Sequence, residues 1–173
     1  MKRARPSRAG RLAGAALAAA LLAGCGGGPE TELAELGLRR VRIASASDDH
    51  GGFHGDGLEA VAARIEGGVE GLSRKPGWRP SPLPPGLARE LFGGTEPGTG
   101  RVLGGSLSRN ALAAEAAQAA VAGGLFYFAN MQASGPGRHD IDAFVLADKS
   151  SCNLVLCVVD ATGRACWYFR LDT

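Results

Sequence analysis

The sequence predicts an α+β domain: a small antiparallel sheet with a C-terminal β-hairpin and one or two short helices. Three observations carry this. Residues 153–159 are almost continuously apolar and β-branched, and Asp160-Ala161-Thr162-Gly163 turns the chain into residues 165–171, which include Trp167, Tyr168 and Phe169. That pattern is a hairpin whose first strand is covered on both faces. Residues 41–46 alternate with period two, as a half-buried strand does. Residues 111–122 are nearly all strong helix formers, opened by Asn110 as an N-cap and stopped by Gly123-Gly124.

The chain opens on Lys2, Arg3, Arg5, Arg8 and Arg11 with no acid among them, then runs through apolar residues 12–23. A cationic head before a short apolar core is the layout of a secretory signal. About a dozen residues are too few for the roughly 20 of a membrane-spanning helix. The core ends in Leu22-Ala23-Gly24-Cys25, which resembles the lipobox of bacterial lipoproteins. The resemblance implies cleavage before Cys25 and acylation of its thiol. Two or more acyl chains anchor a protein stably, whereas one does so marginally. The protein is then expected in the bacterial cell envelope, tethered outside the cytoplasmic membrane. Gly26, standing where inner-membrane retention favours Asp, points by the same resemblance to the outer membrane where a cell has one.

The expected domains are a signal peptide over 1–24, the lipidated cysteine and a flexible tether over 25–40, and a single α+β domain over 41–173. Cleavage leaves 149 residues, enough for one core. It also removes five of the 19 basic residues, leaving 14 against 17 acidic ones, a net charge of −3. That argues against nucleic acid as a partner, which requires a basic face. Cys152, Cys157 and Cys166 remain in an oxidising compartment, so one disulfide is open to them. The short turn would set Cys157 and Cys166 nearly opposite, although a one-residue slip in register would turn them to different faces. No CxxC occurs, which excludes a thioredoxin-like redox motif.

The remaining elements follow in order. Gly26-Gly27-Gly28-Pro29 is a tether, and residues 30–38 hold one helical turn. Residues 58–65 fit a helix by propensity and a strand by alternation. The Gly- and Pro-rich stretch 67–85 admits only short helix, with Trp78 as an anchor onto the core. Residues 87–92 form a short helix after Pro84-Pro85-Gly86. The helix 111–122 has Leu112 and Val121 as its only large apolar residues, so its apolar stripe is thin and it should lie loosely on the domain. Residues 125–129 are an aromatic strand, 134–138 a turn, and 140–148 a short strand or coil.

Two stretches now stand together: His50-Gly51-Gly52-Phe53-His54-Gly55-Asp56-Gly57 after a first strand, and Ser150-Ser151-Cys152-Asn153 leading through Asp160 and Tyr168 to Asp172-Thr173. With the aromatic strand from Gly124 to Phe128, they resemble a family of small, uncharacterised exported bacterial proteins. The resemblance implies that residues 58–65 are a strand. It implies no activity. The Ala-rich helix 111–122 departs from that family's pattern.

The loop is where chemistry would sit. Asp48, Asp49, His50, His54 and Asp56 fall within ten residues that also hold four glycines. Imidazole and carboxylate together suit Zn or Mn, and glycines let backbone N–H groups converge on a ligand. The same composition also builds a purely structural turn, and that is the preferred reading. His50-Gly51-Gly52-Phe53 is similar to an α/β-hydrolase oxyanion loop, but no G-x-S-x-G elbow accompanies it. His139, Asp140 and Asp142 read as a solvated loop. Two function classes follow. The first is an envelope lipoprotein that binds a ligand or partner. The second is a metal-dependent hydrolase working through the 48–57 loop, with His139 drawn into the same cleft.

Overall fold

The computed structural model describes residues 28–50, 57–95, 102–147 and 152–173. The fold is α+β. Six strands form one sheet in the order β1-β2-β8-β7-β6-β3: β1 Val41–Asp48, β2 Gly57–Ile65, β3 Trp78–Pro80, β6 Leu125–Asn130, β7 Leu154–Val159 and β8 Ala165–Asp172. Every neighbouring pair is antiparallel. β4 Gly94–Thr95 and β5 Val102–Leu103 form a separate two-stranded ribbon. Among the described residues the helices are α1 Pro29–Glu35, α2 Pro85–Phe92, α3 Ala111–Ala122 and α4 Ile141–Leu146.

The C-terminal hairpin is the middle of the sheet. All six residues of β7 are buried, because helices cover one face and α1 with its neighbours covers the other. On the first face Phe126, Phe128, Leu154, Leu156, Val158 and Phe169 pack beneath α2, α3 and α4. On the second, Val61, Ala63, Val155, Cys157, Val159, Cys166 and Tyr168 pack against Leu33, Leu38, Leu72 and Trp78. Asp160 closes the hairpin: its Oδ1 accepts from the N–H groups of Arg164 at 2.8 Å and Ala165 at 3.0 Å.

β2 settles the ambiguity of residues 58–65 in favour of a strand. Ala and Glu prefer helix in isolation, but this segment lies between β1 and β8 and is paired along both edges. Tertiary pairing outweighs the few tenths of a kcal/mol per residue that propensity supplies. Trp78 is the anchor expected of it: it is buried, and its Nε1 donates to the Leu36 carbonyl at 2.9 Å.

Four expectations are corrected. The stretch 25–40 is not all tether. From Pro29 it is helical, with Leu33 and Leu38 fully buried, so the folded part begins twelve residues before Val41. Residues 141–146 are helix rather than strand or coil. Asp140 Oδ1 caps the Ala143 N–H at 3.0 Å, and Phe144 sits edge-on to Phe128 with centroids 5.0 Å apart. α3 does not lie loosely on Leu112 and Val121. It packs through a stripe of small residues, Ala113, Ala116, Ala119 and Ala120, while Val121 is 77% exposed. Small side chains let the helix approach closely, and Glu115 accepts from Trp167 Nε1 at 3.1 Å on its flank. Finally, Cys157 faces Tyr168 and Cys166 faces Val159, so the two cysteines share a face but lie on a diagonal. Diagonal neighbours stand about 7–8 Å apart, at or beyond the roughly 7 Å reach of a disulfide, and both are free thiols.

Candidate functional site

The second face of the sheet turns polar at one end. Along β8, Tyr168, Arg170 and Asp172 alternate toward it, while Trp167, Phe169 and Leu171 face the other way. Glu59 on β2 stands opposite Arg170 in the same register. α1 crosses this face and lowers Glu32 onto the row. Glu32 accepts from the Tyr168 hydroxyl and pairs with Arg170 Nη1 at 3.1 Å. Arg170 Nε pairs with Asp172 Oδ2 at 3.1 Å.

The row continues into the start of the predicted loop. Asp48 Oδ1 accepts from the His50 backbone N–H at 3.0 Å and lies 2.5 Å from His50 Nδ1. On the other side of the ring, His50 Nε2 is buried without a hydrogen bond and lies 3.5 Å from Asp172 Oδ2. Asp49 is structural: its carboxylate caps the Leu58 N–H, and its own N–H donates to the Leu58 carbonyl at 3.2 Å. Gly57 is needed here because a Cβ would lie 2.5 Å from His50 Cα.

The electrostatics follow this geometry. Hydrogen bonding to Asp48 raises the His50 pKa above its ordinary value, and Asp172 reinforces it. The same contacts lower Asp48. Burial raises Glu59, and the carboxylates of Glu32 and Asp48 add to it. Burial and the Glu32 carboxylate push Tyr168 far up, so its hydroxyl stays protonated and donates. Burial alone would lower Arg170, but Asp172 and Glu32 more than reverse that.

Beside this row lies an open cleft of about 280 Å³. α1 forms one wall with Glu32, Glu35 and Leu36. Val155, Tyr168 and Arg170 rise from the sheet, and Tyr127, Met131 and Arg138 complete the lining. Burial raises the Tyr127 hydroxyl, with the Arg138 charge opposing. A larger hollow of about 410 Å³ between α2 and α3 has Arg89 as the one charged side chain among its described lining residues, so the polar cleft is the better candidate.

Of the residues singled out in the sequence, Asp48 and His50 belong to the charged row, and Asp49 holds the strand connection. His54, Asp56 and Cys25 lie outside the described residues. His139 does not join His50. Its Nδ1 lies 2.7 Å from the Phe128 carbonyl and its ring sits edge-on to Tyr127 on β6. β7 stands between β6 and β8, so the two histidines are separated by about two strand spacings of roughly 4.8 Å and by further distance along the strands. Asp140 is spent on capping α4. Among the described residues, no three His, Cys, Asp or Glu side chains are grouped to hold a metal ion, and no helix is long and apolar enough to cross a membrane.

Glu32, Glu35, Arg138, Tyr168 and Arg170 were missed by sequence reasoning. The available signal was the alternation Tyr168, Arg170, Asp172, which places polar groups on a face that the rest of β8 makes apolar. Compared with protein-family models, curated proteins and solved structures, the chain matches none.

Proposed function

We propose that this chain is a lipid-tethered protein of the bacterial cell envelope, anchored through acylated Cys25, whose domain binds a ligand or partner in the α1 cleft rather than catalysing a reaction. The observation that carries the binding role is the state of Arg138. Its Nε is buried with no hydrogen-bond partner while the side chain lines an open cleft. Of the guanidinium's five N–H donors, only Nη2 finds an acceptor among the described residues, the weak Met131 thioether, which leaves donors for a bound acceptor. The signal-like N-terminus and Leu22-Ala23-Gly24-Cys25 support the address. Only Gly26, Gly27 and Gly28 stand between Cys25 and α1, so the anchor reaches at most roughly 14 Å at about 3.5 Å per residue. That keeps α1 beside the lipid surface.

Two measurements test the proposal. Membrane fractionation of the wild type and Cys25→Ala should move the protein from membrane to soluble or unprocessed material, and acylated protein in the variant would overturn the anchor. Native mass spectrometry of the protein purified from its own envelope should show a bound mass that Arg138→Gln loses. A folded protein free of any adduct, or an adduct indifferent to Arg138, would overturn the cleft as the site.

A further inference from the structure

Half of the cleft's charged side chains are neutralised internally. Glu32 is committed to Tyr168 and Arg170, and Arg170 is shared with Asp172. What remains is one carboxylate, Glu35, and one guanidinium, Arg138, lining the same cleft. Glu35 follows Glu32 by three positions, so both lie on the same side of α1. Neither Glu35 nor Arg138 forms an ion pair among the described residues. Arg138 donates through Nη2 to the Met131 thioether, which is a weak acceptor. The same cleft is lined by the side chains of Leu36, Tyr127, Met131 and Val155.

From this we infer that the cleft binds a small zwitterion with an apolar body, an amino acid or the ends of a short peptide, with its carboxylate on Arg138 and its ammonium on Glu35. The inference deepens the ligand-binding reading above and rests on it. A lone anion would gain Arg138 but meet the Glu35 carboxylate, and a lone cation would gain Glu35 but meet Arg138. A ligand carrying both signs satisfies both charges. Guanidinium and carboxylate make the strong, two-pronged hydrogen bonds that fix orientation. A volume of about 280 Å³ sits at the lower limit of ligand pockets, which fits one residue or two rather than a long chain. A site built to bond both ends should reject analogues that lack either.

The test is isothermal titration of the purified full chain in detergent with L-leucine, leucyl-leucine, N-acetyl-L-leucine and L-leucinamide. L-leucine or the dipeptide should bind at least tenfold more tightly than both singly charged analogues, and whichever of the two binds more tightly identifies the source. Glu35→Gln should erase the discrimination against N-acetyl-L-leucine alone, and Arg138→Gln that against L-leucinamide alone. Both positions lie outside the apolar core, and melting curves would verify that the variants fold. Analogues that bind as well as the zwitterions, or discrimination unchanged in both variants, would overturn the inference. Failure of every compound alongside a native adduct would overturn it while leaving the ligand-binding reading standing. Failure of every compound with no adduct would remove both.

Discussion

Leu156 offers the sharpest test of how this domain is held together. It lies at the centre of β7, fully buried, opposite Phe128 on β6 and Phe169 on β8. Its face is roofed by α2, α3 and α4. Leu→Ala in a core costs about 2–5 kcal/mol, and the upper part of that range applies where the surroundings cannot collapse into the cavity. Here the floor is backbone paired on both edges and the neighbours are rings wedged between strands and helices, so Leu156→Ala should cost about 3–4 kcal/mol. With a urea m-value of about 1–3 kcal/mol/M for a small domain, the midpoint should fall by roughly 1–4 M. Equilibrium urea unfolding followed by tryptophan fluorescence measures this, since Trp78 is buried on one face and Trp167 packs against the core on the other. A loss below about 1 kcal/mol would refute the doubly covered strand.

Four further outcomes follow from the same structure. Ala116→Leu should destabilise by about 1–3 kcal/mol by overpacking the α3 stripe, while Val121→Lys should stay within about 0.5 kcal/mol; thermal melts would show it, and the reverse order would return α3 to a loosely seated helix. His50 should titrate above its ordinary value by NMR and move back toward it in Asp48→Asn. Because the folded pKa is raised, the His50 contribution to stability is full below the unfolded pKa of about 6.5 and is lost as pH rises through the folded value, so His50→Gln should flatten stability against pH there. Cys157 and Cys166 should react with a thiol reagent only after denaturation, without prior reduction; failure to react then would mean that the diagonal pair is bridged. If the 48–57 loop is structural, Zn or Mn should leave the melting temperature unchanged, and a shift that disappears in the His50→Ala/His54→Ala double variant would restore the metal reading.

How much of this was legible in the sequence depends on the range of the contacts involved. The β7–β8 hairpin was readable because its pattern, turn and partner lie within twenty residues of one another. The α3 helix was readable as a helix through Asn110 and Gly124, where a Cβ would strike the Val159 carbonyl at 2.2 Å. Its buried face was not, because alanines give no amphipathic contrast. β2 was ambiguous because Ala and Glu carry helix propensity that only the flanking strands override. α1 was readable only as one helical turn within residues 30–38, and its docking and the cleft were not readable. Glu32 meets Tyr168 and Arg170 from 136 and 138 residues away, and no local pattern announces a pairing at that distance. The loop was visible as an unusual string, but its described ends resolve into a capped connection and one Asp–His pair.

The seven residues of α1 are too few to hold a helix in water, where about 12–15 are marginal. Its position is therefore owed to what it touches: Leu33 in the core, the Trp78 hydrogen bond to Leu36, and the Glu32 pairings. Those contacts also set one wall of the cleft, since Glu32, Glu35 and Leu36 lie in a single turn or so. The cleft thus exists only while α1 is docked. A ligand that joins Glu35 to Arg138 must bind the docked state alone, and by mass action it stabilises that state as its concentration rises above its dissociation constant. Zwitterion binding should consequently slow hydrogen exchange of the amides in α1, and it should slow those of β7, which open through global unfolding, by the same factor, since the ligand is lost in both openings. Slowing in β7 with none in α1 would break the link between the helix and the site.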